Sequence, residues 1–154
     1  MIDPGSVRNL LTSWWFDYDQ GDFAAWPAYF TADAHFSCRS DSGQTDYEEF
    51  IRADVSGRDE LLRWQEEHRR NSPYPLRHHG INVHVTRATA VDADFRSYLF
   101  VTQIVAGAVS NLSTGIVLGT VRDEDGELRF ADLRVILDTT DSEVFGSGSR
   151  PIPA

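Results

Sequence analysis

The apolar residues of this chain change their spacing once, near residue 72, and this change restricts the fold more than any other feature. Before it, apolar positions recur three and four residues apart, as in helices that bury one face. After the turn-prone segment Asn71–Pro75 they alternate with polar positions, as in strands. Helices followed by a run of strands indicate an α+β domain whose helices cover one face of a curved antiparallel sheet.

The helical half predicts four segments. They are a helix over Ser6–Gln20, a short helix over Asp22–Phe30, a strand over Ala34–Cys38, and a helix-rich stretch over Asp46–Arg70. The start Pro4-Gly5-Ser6 suits a helix N-terminus, and Gly21 suits the end of the first helix. Pro27 makes the second helix irregular, because proline lacks the N–H that a helix interior requires.

The second half predicts three or four strands, over Leu76–Arg87, Ala90–Ala106, Ser113–Arg122 and Glu127–Asp138. Asp125-Gly126 joins the last two and is a strong hairpin signal. With 154 residues in total, the pattern predicts one domain over residues 1–145 and a flexible tail over residues 146–154, which is rich in glycine, serine and proline.

One predicted strand, Tyr98–Val105, is apolar on both faces. Alternation places Tyr98, Phe100 and Ile104 on one face and Leu99, Val101 and Val105 on the other. One face can meet the helices, and a second copy of the chain would cover the other most economically. We therefore expect a homo-oligomer, most simply a homodimer.

Charge and composition exclude several kinds of chemistry. Fourteen basic residues, all arginine, stand against twenty-four acidic ones, which gives a net charge of −10. Without lysine there is no Schiff base and no P-loop lysine, and strong negative charge disfavours nucleic acid. Cys38 is the single cysteine, so it cannot form a disulfide within the chain, and we interpret it as a small apolar filler.

Other signals that would indicate a cofactor or a membrane are missing from the sequence. No apolar run approaches the ~20 residues of a membrane helix, and no signal peptide is visible, so the cytoplasm is the expected location. The nucleophile elbow G-x-S-x-G and the dinucleotide fingerprint G-x-G-x-x-G are both absent. His78, His79 and His84 lack the spacing of known zinc motifs, so we predict neither a metal nor a cofactor.

The catalytic chemistry that the sequence still allows is that of a carboxylate paired with an imidazole. The predicted first helix ends in the acidic stretch Asp17–Asp22, where the helix dipole disfavours negative charge, so a compensating partner is expected. A histidine that donates its Nδ1–H to such a carboxylate keeps Nε2 free as a general base. Among the five histidines, His68 lies in a charged helix end, so we expect it to be solvated. His35 and His84 lie on predicted strands, and we expect them to be structural. His78 and His79 lie on opposite faces of their strand.

The chain resembles the SnoaL-like branch of the nuclear-transport-factor-2-like superfamily from about Leu10 to Asp138. The resemblance rests on Tyr18-Asp19-Gln20-Gly21-Asp22-Phe23-x-x-Trp26, Tyr29-Phe30-Thr31-x-Asp33-Ala34-x-Phe36 and Arg77-His78-x-x-x-Asn82-Val83. It implies a cone: a curved antiparallel sheet wrapped by three N-terminal helices, enclosing an apolar pocket, in a homodimer or homotrimer.

The resemblance also implies a site. Scytalone dehydratase, bile-acid 7α-dehydratase and hexachlorocyclohexane dehydrochlorinase use an Asp–His dyad, and their spacing matches Asp19 and His78 here. The implied activity is that of a lyase or isomerase, such as a dehydratase or cyclase, acting on a small hydrophobic carbonyl- or ring-bearing molecule such as a polyketide, steroid or aromatic intermediate. Residues expected to contact substrate, as pocket walls or as hydrogen-bond donors to an enolate, are Trp14, Trp15, Tyr18, Phe36, Asn82 and Phe100. Ordinary core packing is the alternative role for the aromatic ones.

Two features keep other functions open. The alignment places Leu133 where many relatives carry an arginine, so Arg134 is expected to point away from the pocket. The ending Leu133–Asp138 is also similar to the small β subunits of aromatic-ring-hydroxylating dioxygenases, in which this fold is structural. The alternatives are therefore a non-catalytic β subunit and a protein that binds a small ligand.

Overall fold

A computed structural model describes residues 1–147 as an α+β fold of three helices and one six-stranded sheet. The first half contains α1 (Pro4–Gln20), a 3₁₀ helix (Trp26–Tyr29), β1 (Phe30–Ser40), α2 (Glu48–Ile51), β2 (Ala53–Ser56) and α3 (Arg58–Arg70). The second half contains β3 (Leu76–Ala88), β4 (Asp92–Val105), β5 (Ala108–Glu124), β6 (Glu127–Leu137) and a 3₁₀ turn (Phe145–Ser147). The predicted class and the three N-terminal helices are confirmed.

The sheet has the strand order β2-β1-β6-β5-β4-β3, and it is open at both edges. All neighbouring strands are antiparallel except β1 and β6, which run parallel, with Phe36 opposite Leu133. The sheet is therefore mixed, and the expectation of a wholly antiparallel sheet is wrong at this one pairing. Strand β1 precedes α2, β2 and α3 in the chain, and β6 is the last strand. The path of the chain between β1 and β6 therefore sets their relative direction.

Capping residues at both ends determine where the first helix begins and ends. Asp3 caps it, since its carboxylate accepts the Ser6 N–H at 2.9 Å, and Pro4 occupies the first turn, where its missing N–H costs nothing. Gly21 ends it with φ 69°, a left-handed conformation that favours glycine. The predicted end is confirmed, and the start lies two residues earlier than predicted.

The remaining helical segments differ from the prediction. Only Trp26–Tyr29 of the predicted helix Asp22–Phe30 is helical, and it is a 3₁₀ helix with Pro27 in its first turn. The helix-rich stretch Asp46–Arg70 contains the four-residue strand β2, which the helical spacing concealed. Nearly all of the predicted tail, from residue 148 onwards, lies outside the described residues. None of the described helices has the length and apolarity that a membrane span requires.

The core lies between the helices and one face of the sheet. Helix α1 packs against β3 and β6, and α3 packs against β1 and β2. Strand β4 shows the alternation clearly, because Leu99 and Val101 are buried while Tyr98 and Phe100 are exposed on the opposite face. The largest fully buried side chains are Trp14, Trp26, Phe30 and Phe130.

His35 joins three strands on the outer face of the sheet. Its Nδ1 lies 2.7 Å from Asp132 on β6, and its Nε2 lies 2.8 Å from Asp54 on β2. Asp132 also pairs with Arg134 at 2.8 Å. The hydrogen bonds to Asp54 and Asp132 raise the pKa of His35 above its ordinary value, because they favour the protonated ring.

This pair of contacts predicts a pH-dependent stability. A histidine whose pKa is raised in the folded state stabilises that state most at pH values below its unfolded pKa. This contribution to the free energy of unfolding disappears as the pH rises through the folded pKa. We expect His35→Asn to lower the melting temperature more at about pH 6 than at about pH 9. Thermal unfolding monitored by circular dichroism tests this, with His84→Asn as the control. An equal loss at both pH values would contradict the assignment.

Candidate active site

A cavity of about 310 Å³ lies between α1, α2 and α3 on one side and the inner face of the sheet on the other. Its walls are mostly aromatic and aliphatic, and none of the described residues that line it is an aspartate, a glutamate or an arginine. Tyr47, Phe50 and Leu112 line it and are also exposed, so they mark its opening to solvent. Pockets of this kind bind small apolar molecules and use a few polar groups to orient them. The polar side chains in the lining are Tyr18, Tyr47, Gln65, His68, Ser72, His78 and Ser113.

Asp19 and His78 meet at one end of this cavity. His78 Nδ1 lies 2.6 Å from Asp19 Oδ1, and the backbone N–H of His78 donates to Asp19 Oδ2 at 2.8 Å. An ionised carboxylate only accepts, so Nδ1 carries the proton and Nε2 keeps its lone pair. Nε2 has no hydrogen-bond partner among the described residues, and the side chains of His78 and Asp19 are only 13% and 5% exposed. The pair is therefore desolvated, oriented and equipped with a free acceptor.

Two aromatic rings hold the imidazole. Trp15 stacks on His78 with ring centroids 4.8 Å apart and an interplanar angle of 9°, and Tyr18 meets it edge-on at 5.3 Å. The face of an indole attracts a cation, so Trp15 would stabilise His78 once it has taken a proton. Gly80 permits this arrangement, because a Cβ there would lie 3.0 Å from the Trp15 ring.

Arg69 fixes the end of the helix that carries Asp19. Its buried guanidinium donates to the backbone carbonyls of Tyr18 at 3.1 Å and Asp19 at 2.7 Å, and to that of Pro73 at 3.1 Å. Carbonyls at a helix C-terminus lack partners within the helix and carry its negative dipole. Arg69 thus supplies a positive charge where the sequence led us to expect compensation for Asp19, and it does so in addition to His78.

Three of the predicted substrate contacts do line the cavity. Trp15, Tyr18 and Phe36 are buried and contribute to its wall. Burial raises the pKa of the Tyr18 hydroxyl, so that group stays protonated and can act as a hydrogen-bond donor. It makes no hydrogen bond to any described residue, which leaves it available to a ligand.

The other three predicted contacts lie elsewhere, and each was misplaced for a physical reason. Trp14 is enclosed by the rings of Trp26, Tyr29 and Phe30, so it packs in the core. Asn82 is exposed, with φ 54°, at an irregularity of β3 that interrupts the alternation from His78. Phe100 lies on the outer face of the sheet, because its neighbours Leu99 and Val101 take the inner one.

His68 lies at the cavity wall, so the expectation of a solvated residue is wrong. It lines the cavity and stacks between Phe50, at 4.4 Å, and Trp64, at 4.8 Å. Its Nδ1 lies 3.2 Å from the Phe50 carbonyl, which only accepts, so Nε2 carries the lone pair. Burial is the main cause that lowers its pKa to about 4, while the hydrogen bond to the Phe50 carbonyl opposes this and the charge of Arg69 adds to it, so the ring is neutral at neutral pH. The i, i+3 spacing with Gln65 was the signal that could have placed both on one helix face.

Three further side chains, those of His79, Arg134 and Cys38, agree with their expected roles. His79 faces away from the cavity and contacts Thr102 at 3.1 Å, and Arg134 is exposed beside Asp132. Burial raises the pKa of the Cys38 thiol to about 12, so it is no nucleophile, in agreement with an apolar filler. Within residues 1–147, no three histidine, cysteine, aspartate or glutamate side chains are grouped as metal ligands would be.

Three helices over one face of a six-stranded sheet, with an apolar cavity between them, agree with the fold expected of the nuclear-transport-factor-2-like superfamily. Within that superfamily, residues 2–134 match the SnoaL-like domain, and the chain belongs to this family. No match to this chain was found among curated proteins.

Solved structures give the same fold at low sequence identity. A Mycobacterium tuberculosis protein of unknown function is 21% identical, with a TM-score of 0.71, over 88% of this chain and 71% of that one. A Novosphingobium aromaticivorans protein, provisionally assigned as a scytalone dehydratase, is 17% identical, with a TM-score of 0.69, over 90% and 87%. The β subunit of benzoate 1,2-dioxygenase from Burkholderia mallei is 18% identical, with a TM-score of 0.68, over 89% and 91%. At these identities the similarity establishes the fold alone.

Proposed function

We propose that this protein is a cofactor-independent lyase or isomerase in which His78 removes a proton from a small, apolar, carbonyl- or ring-bearing substrate. The observation that carries this proposal is the Asp19–His78 contact of 2.6 Å at the wall of an apolar cavity, with Nε2 of His78 unpaired. A buried general base of this kind contributes roughly 10²–10⁴-fold to a rate.

The reaction would begin with transfer of an acidic C–H proton of the substrate to His78 Nε2. The ring then becomes an imidazolium, which Asp19 stabilises through the Nδ1–H and Trp15 through its face. The electron pair left on the substrate moves onto its carbonyl oxygen, where the Tyr18 hydroxyl, which lines the cavity, would donate a hydrogen bond. The enolate then expels a leaving group, which departs with the electron pair of its bond and takes the proton from His78, as in a lyase, or takes that proton back at another carbon, as in an isomerase.

Proton abstraction can be tested without knowing the natural substrate. We expect the protein to accelerate the uptake of solvent deuterium by 2-tetralone, a fused-ring ketone with acidic C–H bonds beside its carbonyl. Proton NMR in heavy water measures this rate, with His78→Asn as the background. Exchange no faster than with that variant would count against a general base at this position.

A non-catalytic β subunit of a ring-hydroxylating dioxygenase is the second candidate. The similarity to the benzoate 1,2-dioxygenase β subunit over 91% of that chain supports it. Such a subunit would purify together with a larger iron-containing chain, and substitutions of Asp19 and His78 would leave the activity of that complex unchanged. A third candidate, a protein that only binds a small ligand, would show binding without deuterium exchange.

We also propose that the outer face of β3 and β4 binds a second copy of the chain. Ile81 lies opposite Tyr98 in the sheet, and both are exposed together with Phe100 and Ile104 on the same face. A contiguous exposed apolar face of this kind marks an interface in many proteins.

The double substitution Tyr98→Glu and Phe100→Glu should therefore convert a homodimer or homotrimer into a monomer. Light scattering after size-exclusion chromatography measures the mass, and Phe16→Glu, at an exposed position of α1, is the control. A wild-type protein that is already monomeric would contradict the interface.

A further inference from the structure

The inner face of α3 presents two unpaired polar groups to the cavity, and neither belongs to the Asp19–His78 pair. Gln65 lines the cavity and is 4% exposed, yet its carboxamide makes no hydrogen bond to any described residue. His68 lies three residues further along the same helix, with its Nδ1 committed to the Phe50 carbonyl. Its Nε2 has no partner among the described residues.

Neither Gln65 nor His68 has an atom among the fully buried unpaired ones, so both polar groups are accessible from the cavity, where a ligand can replace water as their partner. Residues three apart on a helix are neighbours on its surface, about 5–6 Å apart at Cβ. One substrate hydroxyl can satisfy both, because it donates to the lone pair of His68 Nε2 and accepts from the Gln65 amide. The neutral state of His68, which follows from burial, makes it an acceptor rather than an anion-binding cation.

We propose that Gln65 and His68 form a recognition subsite for a hydroxyl group on a neutral ring of the substrate. The inference rests on the proposed function for the other end of the molecule, whose acidic C–H faces His78. The substrate class is then a neutral hydroxylated cyclic ketone or a related phenol. An apolar cavity of about 150 Å³ holds one benzene ring, so the volume of about 310 Å³ is sufficient for two fused rings.

A matched pair of probes tests the subsite by binding alone. The probe 2-naphthol carries the hydroxyl, and 2-methoxynaphthalene has the same rings but cannot donate a hydrogen bond. Tryptophan fluorescence quenching measures both dissociation constants, since Trp15 and Trp64 line the cavity. We expect the wild type to prefer 2-naphthol by about tenfold, the effect of one well-placed hydrogen bond with a buried acceptor.

Four variants assign the preference to particular atoms. His68→Asn keeps a donor near the Nδ1 position and removes Nε2, so the preference should disappear, whereas His68→Gln places an amide near Nε2 and should restore part of it. Gln65→Leu, which removes the amide, should reduce the preference. His79→Asn, on the opposite face of the sheet, should leave it unchanged.

The outcome is separate from that of the dyad, because binding requires no turnover. The preference should persist in His78→Asn, even if deuterium exchange is lost there or is never observed. Equal affinity of the wild type for both probes would overturn the subsite, as would a preference that survives in both His68→Asn and Gln65→Leu. A preference abolished by His78→Asn alone would also overturn it, since the hydroxyl would then be bound by the dyad.

Discussion

Replacing His78 by asparagine should lower the rate of proton abstraction by roughly 10²–10⁴-fold with little change in the fold. Asparagine keeps an amide donor near the Nδ1 position, so the hydrogen bond to Asp19 can persist, and only the Nε2 lone pair is lost. Deuterium uptake by 2-tetralone gives the rate, and thermal unfolding checks that the variant is folded.

The matched control is His79→Asn, one residue along the same strand but facing outward toward Thr102. It should retain the wild-type rate. Asp19→Asn should lower the rate by a similar factor to His78→Asn, because an amide accepts through one atom only and cannot satisfy both the ring and the backbone N–H of His78. Wild-type rates in both dyad variants would leave the pair with a structural role, as expected of a dioxygenase β subunit.

Replacing Arg69 by methionine should destabilise the protein by about 3 kcal/mol or more. Methionine has similar length but no donors, so the Asp19 carbonyl would lose its buried partner and the Tyr18 carbonyl would keep only the Gly21 N–H. Hydrogen bonds to charged groups contribute about 1.5–3 kcal/mol each, and the substitution removes those to Tyr18, Asp19 and Pro73. Chemical denaturation followed by fluorescence measures the free energy of unfolding.

Arg70→Met is the control for this loss. Arg70 is adjacent in sequence but more than half exposed, where it pairs with Glu66 at 2.7 Å and lies over the Phe23 ring. Exposed ion pairs and cation–π contacts contribute about 1 kcal/mol or less, so the variant should remain close to the wild type. If both variants showed the same small decrease in the free energy of unfolding, the capping role of Arg69 would be refuted.

The parts of the site that were predictable depended on local rules. Gly21 indicates the end of α1 through its conformational freedom, and strict alternation alone separates His78 from His79. The pairing of Asp19 with His78 came from the family resemblance, and the geometry agrees with it.

The parts that failed depended on packing between distant segments. Trp14 and Trp15 are neighbours on one helix, and the choice of which one reaches the cavity is made by the 3₁₀ segment that encloses Trp14. His68 lies among charged residues, so its sequence context suggested solvent, but Phe50 on the preceding helix covers it. Asn82 followed the motif spacing, which could not reveal the irregularity of β3.

The parallel pairing of β1 with β6 has a consequence for how the polypeptide acquires its shape. His35 and its contact Asp132 are 97 positions apart, so β1, which also pairs with the nearby β2, gains its second neighbour only when β6 is present. Closing so long a loop costs conformational entropy before the stabilising contacts form, and folds dominated by such distant pairings form slowly. During synthesis one edge of β1 would therefore stay unpaired until β6 leaves the ribosome.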